Sequence, residues 1–161
     1  MIRPILAGMA VLGVVGAVGG VAIAQSRSTV SDQPIMIGAD TGERTNTSFS
    51  LRGRAEVTQG DNRLRADAIE GASSGSGEIS SVTASGNVYY VTPTETIRGD
   101  RAVYTISNAT IVVTGDVILT QGKNVLTGGR LTYNIDTGSA NMASGSGGRI
   151  QGVFYPQGKG V

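Results

Sequence analysis

The sequence predicts an all-β protein. Three observations carry that prediction: apolar residues alternate with polar ones at period two, one motif returns three times, and no ten-residue window after Ala24 has a helical period. Alternate residues of a strand point to opposite faces. Val82, Ala84, Gly86, Val88 and Tyr90 therefore share a face, as do Ile111, Val113, Gly115, Val117 and Leu119, and as do Phe49, Leu51, Gly53, Ala55 and Val57. The residues between them are mostly Thr, Ser, Asn, Asp, Arg and Glu, the pattern of antiparallel strands with one wet face.

The motif itself runs from Gly86-Asn87-Val88 through Tyr90 and Ile97 to Gly99, Asp100, Ala102 and Tyr104. A later copy has Gly115-Asp116-Val117, Leu126, Gly128, Gly129, Leu131 and Tyr133, and an earlier one has Gly53-Arg54-Ala55, Leu64, Ala66, Asp67 and Ile69. In each copy a large aliphatic stands eleven positions after the first glycine, a small residue at thirteen and an apolar residue at sixteen. A repeat of this kind signals stacked supersecondary units.

The elements follow in chain order. Residues 1–24 are unlike the rest: Arg3 is a basic start, Ile5 to Val21 carries no charge, and Ala22-Ile23-Ala24 is a small-x-small site. This reads as a secretory signal peptide. The competing reading is an uncleaved anchor, since a span takes about 20 apolar residues. Both readings place the folded part outside the cytoplasm. Residues 25–31 form a flexible N-terminal segment, 32–156 the folded domain and 157–161 a C-terminal tail. Ile35, Ile37 and Ala39 make a short strand after Pro34, a residue suited to the start of an edge strand. Thr41 to Ser48 is a polar turn. Further turns fall at Gly60-Asp61-Asn62, Thr92-Pro93-Thr94, Ser107-Asn108, Gly122-Lys123-Asn124 and Asp136-Thr137-Gly138, with Ser/Gly loops at 71–77 and 144–148. Ile150 to Tyr155 is a last strand, stopped by Pro156. The total is roughly ten to twelve short strands.

There is no cysteine, so no disulfide staples the chain. The stability must come from one apolar seam, and with so few large inward residues that seam suffices only if two curved sheets fold over one another as a jelly roll. The chain has 13 basic and 12 acidic residues, no tryptophan and no basic cluster, which gives a nucleic-acid role little support. With neither histidine nor cysteine, a Ser-His-Asp triad, a Cys-His pair and the common zinc sets are excluded. Asp67 and Asp100 occupy one repeat position. A general acid/base pair is conceivable there, but a repeated position does a repeated structural job, a turn or an inter-rung hydrogen bond, and Gly129 replaces the acid in the third copy. Gly53, Gly86 and Gly115 precede the strands and read as bulges or corners.

The sequences Gly86-Asn87-Val88, Thr96-Ile97-Arg98-Gly99-Asp100 and Gly115-Asp116-Val117-Ile118-Leu119 resemble the organic-solvent-tolerance (OstA-like) domain family. Asp32-Gln33-Pro34-Ile35 with Ile37, Ala39 and Asp40 is similar to the first strand of the LptA-type lipopolysaccharide-export members of that family. The resemblance covers roughly 32–142, with Arg54-Ala55 departing from the pattern. It implies a twisted, open β-jelly roll of short antiparallel strands, without enzymatic activity or cofactor. The interior groove would shield lipopolysaccharide acyl chains. Its lining would comprise Ile37, Leu51, Val57, Leu64, Ile69, Val82, Val88, Tyr90, Ile97, Tyr104, Ile111, Val113, Val117, Leu119, Leu126, Leu131, Tyr133 and Met142.

The family also implies partners: an LptC-type inner-membrane protein at the N-terminal edge, an LptD-type outer-membrane protein at the C-terminal edge, and head-to-tail copies of the chain itself. Ile35, Met36 and Ile37 at one end and Val153 and Phe154 at the other are the expected edge residues. They carry no charge, the usual device that blocks pairing of an exposed strand. The residues and the resemblance together leave three functions open: a lipid-conducting periplasmic bridge, a periplasmic scaffold that works by edge pairing, and a membrane-anchored LptC-type partner with the same fold. They also leave open whether the seam is a groove or an ordinary closed core.

Overall fold

Each apolar repeat folds as a pair of long antiparallel strands, and the pairs succeed one another across a single sheet. In a computed structural model, residues 33–75 and 77–156 are described. The expected signal peptide, the 25–31 segment and the 157–161 tail lie outside the described residues. The strands are β1 (Ile35–Gly38), β2 (Thr41–Arg44), β3 (Ser48–Gln59), β4 (Asn62–Ser73), β5 (Ile79–Val91), β6 (Glu95–Thr105), β7 (Thr110–Gln121), β8 (Asn124–Asn134), β9 (Ala140–Ala143) and β10 (Gln151–Val153). Their order is β1-β3-β4-β5-β6-β7-β8-β10, with β2 also on β3 and β9 also on β8. Every pairing is antiparallel.

The four terminal pieces have three or four residues, whereas the six central strands have 11 to 13. The central strands are long because the repeat glycines lie inside them. Gly53 and Arg54, Gly86 and Asn87, and Gly115 and Asp116 are consecutive residues with positive φ, and the register shifts at each pair. On the even-numbered strands the inward row changes parity opposite these bulges, from Leu64 and Ala66 to Ile69, from Ile97 and Gly99 to Ala102, and from Leu126 and Gly128 to Leu131. That step of three residues is the interval between positions thirteen and sixteen of the sequence repeat.

The bulges bend the sheet across its middle into two halves that share one core. One half holds Val57, Leu64, Tyr90, Ile97 and Leu119; the other holds Leu51, Ile69, Val82, Tyr104, Ile111, Leu131 and Tyr133. Contact between the halves is direct: the rings of Tyr90 and Tyr133 lie 6.0 Å apart and tilted by 60°. Such tilted pairs match the electron-rich face of one ring to the edge of the other.

The carboxylates at the bends are structural. Asp40, Asp67 and Asp100 each lie over the glycine of the next bulge, so close that a Cβ on Gly53, Gly86 or Gly115 would meet the carboxylate. Asn87 Nδ2 donates to Asp67 Oδ2 at 2.8 Å, an inter-rung hydrogen bond. At the first bulge Arg54 Nε donates to Asp40 Oδ1 at 2.9 Å, and this hydrogen bond holds the Asp40 carboxyl below the usual range. In the third copy Gly129 replaces the acid because the backbone of Gly145 passes directly over it.

Thr41 to Ser48, expected as a turn throughout, contains β2. Asp40 N–H reaches Gly53 O at 2.9 Å and carries the edge strand past the bulge, so β1 and β2 are one strand interrupted by a bend. Only Thr45 to Thr47 turns, closed by Ser48 N–H on Thr45 Oγ1 at 3.0 Å. At the other end, β9 and β10 pair with the two halves of β8 and are likewise one strand, interrupted by 144–150. The final strand is Gln151–Val153, shorter than the expected Ile150 to Tyr155.

Candidate functional site

The two halves do not meet everywhere. Between them, towards the β1 edge, lies a cavity of about 210 Å³. One half supplies Ile35, Ile37, Val57, Gln59, Asn62, Leu64 and Tyr90; the other supplies Phe49, Ile79, Val82, Tyr104, Ile106, Ile111 and Ile135. Ile35 and Ile37 are about half exposed (51% and 56%), so they form its mouth. Gly71 makes room on one wall: the Phe49 ring packs against it, where a Cβ would fall 2.0 Å from the ring. The wall is apolar, so the cavity can bind hydrocarbon by burial but offers few polar groups to orient a polar ligand.

Glu95, Gln121 and Tyr133 do not line the cavity. Glu95 points inward at the start of β6, and Gln121 Nε2 donates to its Oε1 at 2.8 Å. Burial, and after it the Glu95 carboxylate, pushes the Tyr133 phenol up to about 12. Burial, with Tyr133, Tyr104 and Glu95 adding, raises Tyr90 further. Tyr104 is raised by burial and then by Asp136. All three phenols therefore remain neutral at physiological pH. Among the described residues no three His, Cys, Asp or Glu side chains come together as a metal site would need.

Seven of the residues expected to line a groove line this cavity: Ile37, Val57, Leu64, Val82, Tyr90, Tyr104 and Ile111. Leu51, Ile69, Val88, Ile97, Val113, Val117, Leu131 and Tyr133 are buried in the core away from it. Leu119, Leu126 and Met142 are half-buried, also away from it. The seam is thus a closed core over much of its length and a cavity near the N-terminal edge. Ile106 and Ile135 escaped the sequence reading because they follow strands rather than lie in them. Ile106 opens a single 3-10 turn, and Ile135 N–H bonds Ala109 O at 2.8 Å, bringing the two turns together over the cavity. The signal for them was a large aliphatic immediately past a strand end. Asn62 was read as a turn residue, and Gln59 stood out by no pattern.

The two edges of the sheet present apolar side chains. Met36 is 61% exposed and Phe154 68%, with Val153 and Tyr155 also exposed.

Three comparisons bear on the molecule. The family described as "LptA/(LptD N-terminal domain) LPS transport protein" matches residues 36–139. An uncharacterized protein of Rhizobium meliloti (strain 1021) is 30% identical over 138 residues, which is 79% of this chain and 74% of that protein. The crystal structure of LptH, the LptA-homologous periplasmic component of the lipopolysaccharide transport device of Pseudomonas aeruginosa, superposes with a TM-score of 0.72 at 23% identity, covering 80% of this chain and all of that one.

Proposed function

The chain belongs to the LptA/LptD N-terminal-domain family of lipopolysaccharide transport proteins, and from that premise we propose that it carries lipopolysaccharide through the periplasm by sheltering acyl chain in the cavity between its sheet halves. The observation that carries this reading is the cavity itself, apolar on both walls and open past the exposed β1 edge. Small-ligand pockets span about 300–1,000 Å³. At about 210 Å³ this one takes a stretch of hydrocarbon rather than a whole multi-acylated lipid. Transport then needs neither bond making nor a cofactor, only an apolar path. The periplasmic setting is supported by the homologous LptH and by the signal-peptide character of residues 1–24.

The edges complete the reading. The β1–β2 strand and the β9–β10 strand each leave one side of the backbone unpaired among the described residues. Such edges accept a further strand. In this proposal the N-terminal edge, with Ile35, Met36 and Ile37, docks an LptC-type inner-membrane protein. The C-terminal edge, with Val153 and Phe154, docks an LptD-type outer-membrane domain or the next copy of the chain.

A photoreactive residue at Tyr90 tests the cavity against Tyr89, which faces the other side of the sheet with Arg98 stacked 4.8 Å from its ring. In cells, capture of lipopolysaccharide from position 90 and not from 89 is the expected result. Equal capture from both removes the assignment.

A further inference from the structure

One wall of the cavity is held more loosely than the others. β1 contributes Ile35 and Ile37 to the lining. It has a neighbour on one side only, and it pairs with β3 over a short ladder that runs from Ile35 opposite Gln59 to Gly38 opposite Glu56. Its large side chains gain little from burial: Ile35 is 51% exposed, Met36 61% and Ile37 56%. The other strands that line the cavity, β3 to β7, each lie between two neighbours. A segment with few buried contacts and a single ladder opens before the rest of a fold and independently of it.

The two ends of β1 are held differently. Before it, Gln59 Nε2 donates to Gln33 O at 3.2 Å, a side-chain hydrogen bond at the surface. After it, Asp40 is held twice: its N–H donates to Gly53 O at 2.9 Å, and its carboxylate accepts from Arg54 Nε at 2.9 Å. Asp40 therefore stays on the bulge of β3 and keeps β2 in place when β1 moves. Gly38 lies between the strand and that clamp, where a Cβ would meet nothing within 4 Å, so the chain pivots there without obstruction. The strand has a fixed end, a pivot beside it and a lightly held tip.

We propose that β1 is a hinged flap over the cavity, swinging on Gly38 and Asp40 to let an apolar ligand in and out. The inference rests on the reading of the cavity as a ligand site given above, and it adds how that site is entered. Swinging β1 away takes Ile35 and Ile37 out of the wall and uncovers the space beside Val57 and Leu64. Closing it restores the wall, so the flap governs the rate of exchange more than the affinity.

The chain has no cysteine, so an introduced pair can cross-link only with itself. Met36 and Thr58 are directly opposed across β1 and β3 and face away from Ile35 and Ile37, so replacing them leaves the lining unchanged. Opposed residues of antiparallel strands lie about 4.5–5.5 Å apart at Cα, within disulfide reach. The test uses the purified protein carrying Met36→Cys and Thr58→Cys, and the apolar dye N-phenyl-1-naphthylamine followed by its fluorescence. Oxidation should slow dye release about tenfold or more, and reduction should return it to the wild-type rate. The equilibrium affinity should change by less than about twofold, since the lock holds the state that encloses the ligand. In the free wild-type protein, amide hydrogens of residues 35–38 should exchange while those between β4 and β5 stay protected. Equal release rates in the oxidised and reduced forms overturn the flap and leave the cavity standing as a ligand site. Exchange of residues 35–38 only together with β4 and β5 overturns the flap equally. Absence of dye binding in both forms overturns both readings.

Discussion

At the scale of single residues, the molecule depends on a few side chains held in unusual surroundings. Tyr133 is one. Its phenol ordinarily titrates near 10, and burial beside Glu95 raises it to about 12 in the fold. Between those two values the unfolded chain has released the proton while the folded chain keeps it. The folded state then binds more protons, so stability falls as pH rises through this window and is unaffected by this group below it. Melting temperatures of the wild type measured from pH 8 to pH 12 should fall more steeply above about pH 10 than those of Tyr133→Phe. Parallel curves would place the cause elsewhere.

Gly115 is another such residue. It has a φ of +82°, and a Cβ there would lie 2.3 Å from Asp100 Oδ2. Gly115→Ala should cost about 2–3 kcal/mol in urea unfolding, combining backbone strain with the displaced carboxylate. Paired with Asp100→Ala, which removes the carboxylate but keeps a Cβ 2.8 Å from the new methyl group, the cost should fall in part and stay above the backbone share of about 1–2 kcal/mol.

At the scale of elements, the bulged strand pair is the unit of construction, and the terminal strands are where it stops. The carbonyl of Gln151 faces β8, where Thr127 Oγ1 donates to it. By the two-residue period of a strand, the backbone of Val153 faces β8 too, and the outward amides belong to Gly152 and Phe154. Phe154→Pro should therefore remove an outward donor while the pairing of β10 with β8 survives. If copies associate edge to edge, this variant should sediment as a monomer at concentrations where the wild type forms open-ended oligomers. Wild-type oligomerisation in Phe154→Pro would assign association to another surface.

At the scale of the whole molecule, one apolar interior serves two purposes at different ends. Leu131 is completely buried, and Leu131→Ala should cost about 2–5 kcal/mol in a single cooperative transition, because both halves share the core. Ile37 sits at the cavity mouth with half its surface exposed. Ile37→Asp should change stability by less than about 1 kcal/mol. It should nonetheless reduce lipopolysaccharide capture from position 90, because a carboxylate at an apolar entrance opposes the passage of hydrocarbon. Unchanged capture would mean that lipid enters elsewhere.

Much of this was legible in the residues. Period two revealed the strands, and the recurring intervals of eleven, thirteen and sixteen revealed the repeat, because both reflect geometry that each residue meets locally. The structural role of Asp67 and Asp100 could also be read, since one of three copies does without the acid. Three things were not legible. Thr41–Arg44 is a strand because the exposed edge of β3 holds it, not because of any apolar pattern of its own. Which inward residues line a cavity and which close the core depends on how far apart the halves stand at each rung, and every inward residue has the same parity signature whichever it does. The contact between Tyr90 and Tyr133 has no sequence pattern at all: it exists because a bend in the sheet brings one half over the other. Local periodicity is written in the chain, whereas the distance between two faces of a folded sheet is set by all the bulges acting together.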